Sequence, residues 1–253
     1  MKTVLQVENL TKTFYSPGRT PFTAVDHVSF ELHEGEVLGI VGESGSGKST
    51  IAKLISRLID TTEGTILLNG KDITHIKGKE LRDIYKDIQM IFQNPEGSFN
   101  PRRTLGQGIG ESLKNNGMPK NEVKKRVEDL LVQCGLPVEF YGRYPHEVSG
   151  GQCQRAAIAR ALAIDPKILI CDEATSSLDV TVQKQILELL VNIQKKKQMS
   201  YIFICHNLAL VQMLCDRVIV LYEGKIAEEG VPDDVILDPQ SDYTRRLVDS
   251  VLG

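Results

Sequence analysis

The chain has 253 residues, with 30 Lys and Arg against 33 Asp and Glu, a net charge of −3 and 41% hydrophobic residues. This composition is typical of a folded globular protein, and without a basic surplus it does not favour nucleic acid as a partner. No stretch reaches the ~18 apolar residues of a membrane span, and the N-terminus lacks a signal-peptide core. Five cysteines, never spaced as Cys-x-x-Cys, predict reduced core thiols in a cytosolic protein rather than disulfides or metal ligands.

The first elements in chain order are two strands, predicted from apolar residues at 4–10 and from strict alternation at 28–32. A Pro- and Gly-containing loop at 16–21 separates them. Phe14 and Tyr15 lie just before this loop, where either ring could stack on a nucleobase. Their spacing alone favours a core aromatic.

A phosphate-binding loop follows the second strand. Residues 36–41 are mostly apolar and predict a buried strand, and apolar residues at 51–59 recur at helical spacing. Between them, residues 42–49 fit the pattern G-x-x-x-x-G-K-[ST], whose glycines let backbone N–H groups surround an anion at a helix N-terminus. Lys48 can neutralise β- and γ-phosphate charge, and the Ser49 hydroxyl can hold Mg²⁺. A flexible glycine linker would not need this flanking pattern.

The composition then changes to that of a helical insertion. A strand at 88–92 ends at Gln93, residues 94–101 form a Pro- and Gly-containing loop, and the pattern is helical from Leu105 to about Cys134. The other predicted elements are a hairpin turn at Asn69-Gly70, a hairpin at 217–229 and two short helices within 232–253. The predicted single domain divides into a core at about 1–93 and 159–230, a helical subdomain at about 94–158 and a helical tail at about 231–253.

A second glycine motif closes the insertion. Ser149, a good N-cap residue, and two glycines precede Gln152 and a strongly helical run that ends at Asp165-Pro166. Exposed N–H groups at a helix N-terminus can bind an anion. On its own, the motif equally fits a Ser N-cap with loop glycines, and that interpretation is the simpler one.

Two carboxylates end the next strand. The apolar run 168–171 predicts a parallel strand covered on both faces, and Asp172 and Glu173 follow it directly. Ligands bind at this edge of open α/β sheets, where Asp172 can hold Mg²⁺ and Glu173 can polarise an attacking water. The alternative is a turn and a helix cap. Another buried strand, 201–205, ends at His206, which is either structural or a γ-phosphate contact.

In order along the chain, these motifs resemble those of the ATP-binding-cassette ATPases, and the resemblance covers nearly the whole chain. Ser-Gly-Gly-Gln before the strand-end carboxylates is far more specific than the phosphate loop. Within the family the chain resembles importer ATPases for oligopeptides, dipeptides and nickel, most of all the second ATPase of such a system. The stretches that carry this likeness are 41–50, 89–93, 100–102, 143–147, 149–155 and 242–247.

The resemblance implies an α/β fold with a RecA-like core, an antiparallel β subdomain and a helical insertion. Gln93 would sense Mg²⁺ and the attacking water, residues 149–152 would bind ATP held by another subunit, and Asp179 would lie at the same interface. The resemblance implies four sets of site residues. The catalytic residues would be Lys48, Gln93, Glu173 and His206, and the magnesium ligands would be Ser49, Gln93 and Asp172. The signature would be Ser149, Gly150, Gly151 and Gln152, and the ATP-binding residues would be Phe14 (or Tyr15) with Gly42, Glu43, Ser44, Gly45, Ser46, Gly47, Lys48, Ser49 and Thr50.

The chain departs from the family pattern at Val148, Ala174 and Ser177, none of which is a catalytic group. It also lacks the C-terminal cysteine cluster of some relatives, so no iron–sulfur cluster is expected.

The resemblance implies an ATP-hydrolysing importer subunit at the cytoplasmic face of the membrane. Its partners would be two permease subunits, a second homologous ATPase and, indirectly, an extracytoplasmic binding protein for a peptide, nickel or a metal chelate. Homodimer and heterodimer both stay open. The rival hypothesis is a soluble ATPase clamp, on DNA, ribosomes or a multienzyme complex, and the lack of a basic stripe or long coiled coil weighs against its DNA version. Intact Lys48, Asp172 and Glu173 weigh against a non-catalytic regulator.

Overall fold

The computed structural model describes residues 2–18, 20–175 and 178–252. Residues 251 and 252 are described by their backbone alone. Two compact units make up the chain. The first comprises Met1–Tyr85 with Gln198–Gly253, and the second comprises Lys86–Lys197. Within the described residues, no helix is both long and apolar enough to cross a membrane.

The first unit contains an antiparallel sheet in the order β2-β1-β4-β5. Irregularities in the β1–β2 register coincide with left-handed backbone at Asn9 and His27. Asn69 and Gly70, both at positive φ (50° and 77°), form the predicted turn between β4 and β5. The strands are β1 (Thr3–Phe14), β2 (Phe22–His33), β4 (Glu63–Leu68) and β5 (Lys71–Asp72).

The first unit also contains strands that carry the phosphate loop. The central strand β3 pairs in parallel with β8 on one side and β9 on the other, and β10 is antiparallel to β9. Strand β8 is buried along its whole length, as its apolar sequence predicts. These elements are β3 (Val37–Val41), α1 (Lys48–Ile55), β8 (Ser200–Ile204), α8 (Leu208–Leu214), β9 (Arg217–Tyr222), β10 (Lys225–Gly230), α9 (Pro232–Leu237) and α10 (Asp242–Leu252). Helix α2 (Gly78–Asp87) contains the boundary between the units.

The second unit combines two parallel strands with helices. Strands β6 (Ile88–Ile91) and β7 (Ile168–Asp172) pair in register, and every residue of β7 is buried. The helices are α3 (Leu105–Ile109), α4 (Glu111–Asn115), α5 (Lys120–Gln133), α6 (Gly150–Leu162) and α7 (Val180–Lys197), with short 3-10 turns at Glu96–Ser98, Val138–Gly142 and Pro145–Glu147.

The helical stretch predicted from Leu105 to Cys134 is three helices rather than one. Gly110 lies between α3 and α4, and a Cβ there would lie 2.7 Å from a methyl group of Val123, so the glycine permits α5 to pack closely against this junction. Gly117, at φ 85°, and Pro119 then end α4 and start α5. The loop predicted at 94–101 contains one 3-10 turn at Glu96–Ser98.

Candidate functional site

The phosphate loop is shaped by glycines, two of which leave no room for a side chain. Gly42 and Gly47 have φ values of 147° and 106°. A Cβ at Gly42 would lie 2.2 Å from the carbonyl oxygen of Leu221, and one at Gly47 would lie 2.3 Å from that of Ala24. Gly45, at φ 84°, has open space where its Cβ would be. The loop therefore packs tightly against backbone on one side and keeps room beside Gly45.

The end of the loop is prepared for an anion. Gly47 is the N-cap of α1 and has no side chain with which to cap the first helical turn, so the positive end of the helix can receive an anion. The Lys48 side chain is 5% exposed and folds back over the loop. Its Nζ donates to the carbonyl oxygens of Gly42 (2.8 Å) and Glu43 (2.7 Å). These features fit the charge and shape of nucleotide phosphates.

Two elements from the C-terminal part of the first unit support the loop. The N–H of Gly224, in the turn between β9 and β10, donates to the Ser46 carbonyl (3.0 Å). The Glu43 N–H donates to the hydroxyl of Tyr243 on α10 (3.1 Å), whose ring stacks on Tyr222 with centroids 4.1 Å apart. Motif reasoning did not find these supports, although the stretch 242–247 was already a point of family resemblance.

The aromatic residues before the first loop are not in the core, so the packing suggested by their spacing is wrong. Phe14 ends β1 opposite Phe22 and is 41% exposed, and Tyr15 is 72% exposed. The Nζ of Lys12 lies 5.2 Å from the Phe14 ring centroid. Stacking of either ring on adenine stays a prediction.

His206 also lies in the first unit. It follows β8 by two positions, and its side chain is exposed. The next residue, Asn207, caps α8 by accepting from the N–H groups of Ala209 and Leu210. Asn207 thus performs the structural role at this strand end, and the imidazole of His206 faces solvent.

In the second unit the structure brings Gln93 and Glu173 together. The Gln93 amide, two residues after β6, donates to a carboxylate oxygen of Glu173 (2.7 Å). Glu173 has φ 47°, a left-handed conformation that is strained for a residue with a side chain. Such strain is typical of functional sites. Asp172 before it is 6% exposed, and burial together with the Asp172 charge raises the pKa of Cys171 to about 12.

The Ser-Gly-Gly-Gln motif begins α6 with a capping box. The Ser149 hydroxyl accepts from the Gln152 N–H (3.3 Å), and the Gln152 side chain accepts from the Ser149 N–H (2.9 Å). The two glycines differ. A Cβ at Gly151 would lie 2.5 Å from a methyl group of Val182, whereas the nearest atom to a Cβ at Gly150 would be 3.8 Å away, on Leu178. Gly151 therefore serves close packing against α7, in addition to any ligand contact.

Helix α6 is anchored by two side chains that sequence reasoning missed. Gln154, 1% exposed, donates to the carbonyl oxygen of Ala174, directly after Glu173 (2.6 Å). Arg160 donates to the Ser98 carbonyl and lies over the Phe99 ring at 4.7 Å, and burial lowers its pKa. Their only sequence signal is polar residues on an apolar helix face, which indicates buried hydrogen bonds without identifying the partners.

Asp179 has a visible structural role. Its carboxylate accepts from the Val182 N–H (3.0 Å) and so caps the start of α7. Of the three departures from the family pattern, Val148 is half-buried, Ala174 is buried, and Ser177 lies outside the described residues. The phosphate loop, Phe14 and His206 belong to the first unit, whereas Gln93, the 149–152 motif, Asp172, Glu173 and Asp179 belong to the second.

Comparisons with known proteins agree with this set of motifs. The family model for ABC transporters matches residues 25–176. The oligopeptide transport ATP-binding protein OppF of Escherichia coli is 45% identical over 99% of this chain and 75% of its own length. The dipeptide transport ATP-binding protein DppF of Lactococcus lactis is 43% identical over 99% of this chain and 81% of its own length. The dimeric ATP-binding cassette MJ0796, in a post-hydrolysis state bound to ADP and Pi, superposes with a TM-score of 0.82 at 31% identity, covering 90% of this chain and 98% of its own.

The chain belongs to the ABC transporter ATPase family. The expected α/β cassette fold, with its antiparallel sheet and helical part, is confirmed. The family's activity is ATP hydrolysis, with ATP and Mg²⁺ as its ligands.

Proposed function

We propose that this protein is the ATP-hydrolysing subunit of a membrane importer for oligopeptides or dipeptides, with nickel or a metal chelate as a further family substrate. The observation that carries the proposal is the 45% identity to an oligopeptide transport ATP-binding protein over 99% of this chain. The glycine-shaped phosphate loop and the Gln93–Glu173 pair are intact in the fold, as an active ATPase requires.

Nucleotide binding is assigned to the first unit. Backbone N–H groups of residues 42–49 and the N-terminus of α1 surround the phosphates. Lys48 exchanges its bonds to the Gly42 and Glu43 carbonyls for bonds to phosphate oxygens, and its charge then lies beside the phosphates. Phe14, with Tyr15 as the alternative, stacks on the adenine.

Hydrolysis is assigned to carboxylate, amide and imidazole groups. Glu173 orients the attacking water, with Gln93 fixing the carboxylate from the other side and His206 contacting the γ-phosphate. When bound, Mg²⁺, with Ser49, Asp172 and Gln93 as its proposed protein ligands, neutralises charge on the phosphates. Ser49 and Asp172 supply the hard oxygen atoms that this cation prefers.

The Ser-Gly-Gly-Gln motif is proposed to act on a neighbouring subunit. The capping box fixes the Ser149 and Gln152 side chains at the exposed start of α6, which presents the positive end of a 13-residue helix. In a head-to-tail dimer, this helix end covers the γ-phosphate of ATP bound to the other subunit, and Asp179 lies at the same interface. The second subunit is a homologous ATPase or a copy of this chain.

The remaining partners are two permease subunits in the membrane, which residues 94–158 contact from the cytoplasmic side, and an extracytoplasmic binding protein that acts through them. The test is purification of the tagged full chain from detergent-solubilised membranes. Two membrane proteins that copurify, and whose reconstitution with the chain supports ATP-dependent peptide uptake, are the expected result. Recovery in a soluble assembly without membrane proteins would overturn the importer function in favour of a clamp.

The in-trans role of the signature has its own test. Substitution of Ser149 should abolish hydrolysis by the assembled complex while the isolated subunit still binds MgATP with unchanged affinity. A collapse of binding by the isolated subunit would instead place the motif at the chain's own nucleotide.

A further inference from the structure

The C-terminal helix meets the phosphate loop through one side chain. Tyr243, in the first turn of α10, is 6% exposed, and its hydroxyl oxygen accepts a hydrogen bond from the Glu43 N–H at 3.1 Å. The two residues are 200 positions apart. None of the roles assigned above to residues 42–49 uses this contact.

The contact fixes a peptide group that also holds Lys48. The Glu43 N–H and the Gly42 carbonyl belong to the same peptide unit. The N–H donates to Tyr243, and the carbonyl oxygen accepts from the Lys48 ammonium at 2.8 Å. Because a peptide unit is planar and rigid, rotation that releases one of these bonds also redirects the other. The Tyr243 hydroxyl therefore determines where the resting carbonyl partner of Lys48 points.

The Tyr243 ring is itself immobilised. The ring stacks on Tyr222, the last residue of β9, with centroids 4.1 Å apart, and the backbone N–H of Tyr243 donates to the Ser241 hydroxyl (3.2 Å). The carboxylate of Glu228 on β10 accepts from the N–H groups of Gln240 (2.9 Å) and Ser241 (3.0 Å) and so anchors the start of α10. The hydroxyl thus has a fixed position from which to hold the loop.

We propose that Tyr243 is a positioning residue for nucleotide binding: its hydroxyl holds the Gly42–Glu43 peptide in the orientation that the phosphate loop and Lys48 need to receive ATP. The proposal rests on the nucleotide-binding function assigned to this loop. Without the hydroxyl, the loop samples other orientations before binding, and ordering it again costs affinity. The chemical step is assigned to other residues, so the turnover number should change little.

The test compares Tyr243→Phe with Tyr222→Phe in the full chain. Each variant loses one hydroxyl and keeps the ring stack, but only the Tyr243 hydroxyl bonds the loop. For Tyr243→Phe we expect the dissociation constant for MgATP, and the KM of the assembled transporter, to rise about two- to tenfold, the effect of one net hydrogen bond. The kcat should remain near the wild-type value, and Tyr222→Phe should bind MgATP as the wild type does.

A merely structural role gives a different result: a lower melting temperature with an unchanged dissociation constant for the folded fraction. Equal MgATP affinity of wild type and Tyr243→Phe, or an equal loss in Tyr222→Phe, overturns the proposal. Failure of the wild-type chain to bind MgATP would instead overturn the proposed function, so the two failures are distinguishable. The variant Tyr243→Ala, which also removes the stack, should lower the melting temperature further, and its failure to fold would leave the Phe variant to decide.

Discussion

Gln93 and Glu173, 80 positions apart in the chain, are joined by a 2.7 Å hydrogen bond from the glutamine amide to the glutamate carboxylate. The bond connects the residues that follow two neighbouring parallel strands, β6 and β7. It fixes the direction of the carboxylate that is proposed to orient water.

Replacing Glu173 by Gln should remove the negative charge of the side chain while keeping its shape. The new amide oxygen can still accept from Gln93, so the local structure should persist, while the anionic oxygen that polarises water is lost. We expect ATP hydrolysis to fall by about 10²- to 10⁴-fold, with MgATP binding retained and an ATP-bound dimer accumulating. Phosphate release and size-exclusion chromatography with MgATP measure the two effects. Full hydrolysis by this variant would remove Glu173 from the proposed role.

The backbone of Glu173 gives a second prediction, about stability. Its φ of 47° is unfavourable for any residue with a Cβ. We therefore expect Glu173→Gly to be more stable than Glu173→Ala by about 1 kcal/mol, measured by denaturant unfolding. Both variants lack the carboxylate, so they form a matched pair that differs only in backbone freedom. The same Ala and Gly pair at a residue with ordinary φ, such as Glu188 on α7, should show the opposite order.

The two signature glycines should respond differently to alanine. At Gly151 the new methyl group would lie 2.5 Å from Val182, and overpacking of this kind costs about 1–3 kcal/mol. At Gly150 the nearest atom is 3.8 Å away, and alanine should keep or increase the free energy of unfolding because it is a better helix former.

The control for the Gly151 effect is a double variant. Val182→Ala removes the methyl group that the new side chain meets, so Gly151→Ala should cost little in that background. Unfolding free energies of the wild type, the two single variants and the double variant complete the cycle. A Gly151→Ala cost that is unchanged in the Val182→Ala background would contradict the packing explanation.

The cysteines should be unreactive except one. Burial raises the pKa of Cys134 to about 12, that of Cys153 to about 11 and that of Cys171 to about 12, so their thiolate fractions at neutral pH are very small. Cys205 is also buried, whereas Cys215 is half-buried. Iodoacetamide at pH 7 should modify Cys215 first in the folded protein and all five cysteines after unfolding, as peptide mass spectrometry can show.

The pH dependence provides the internal control for this prediction. Raising the pH from 7 to 9 should leave Cys134 and Cys171 protected in the folded protein, because both pH values lie well below the pKa of these thiols. Rapid labelling of Cys171 in the folded state would contradict its buried position at the end of β7.

Sequence reasoning succeeded where a short motif has one structural solution. The phosphate loop, the Ser149 N-cap and the buried strands β7 and β8 follow from local patterns that permit few alternatives. It also identified Gln93 and Glu173 separately, and their contact then required only that β6 and β7 be neighbours.

What sequence reasoning missed depends on distant contacts. Gln154 and Tyr243 act through backbone groups of Ala174 and Glu43, and backbone groups look the same in every sequence. Spacing also suggested a core position for Phe14, which is in fact exposed. The sequence pattern of an aromatic residue at a strand end is the same whether other residues pack over that end or leave it open to solvent. Helix α8 was not predicted because its seven residues form too short a pattern.

The two anchors of α6 have a consequence for communication between subunits. One helix presents Ser149 at its start and holds, through Gln154 and Arg160, the backbone just beyond Glu173 and the loop a few residues beyond Gln93. A displacement of that helix would therefore pull on the backbone next to both side chains that are proposed to act in hydrolysis. In the proposed dimer, binding of a neighbour's γ-phosphate at the start of α6 would shift the residues that are proposed to hydrolyse the chain's own ATP. Helix α6 would thus couple the two catalytic cycles.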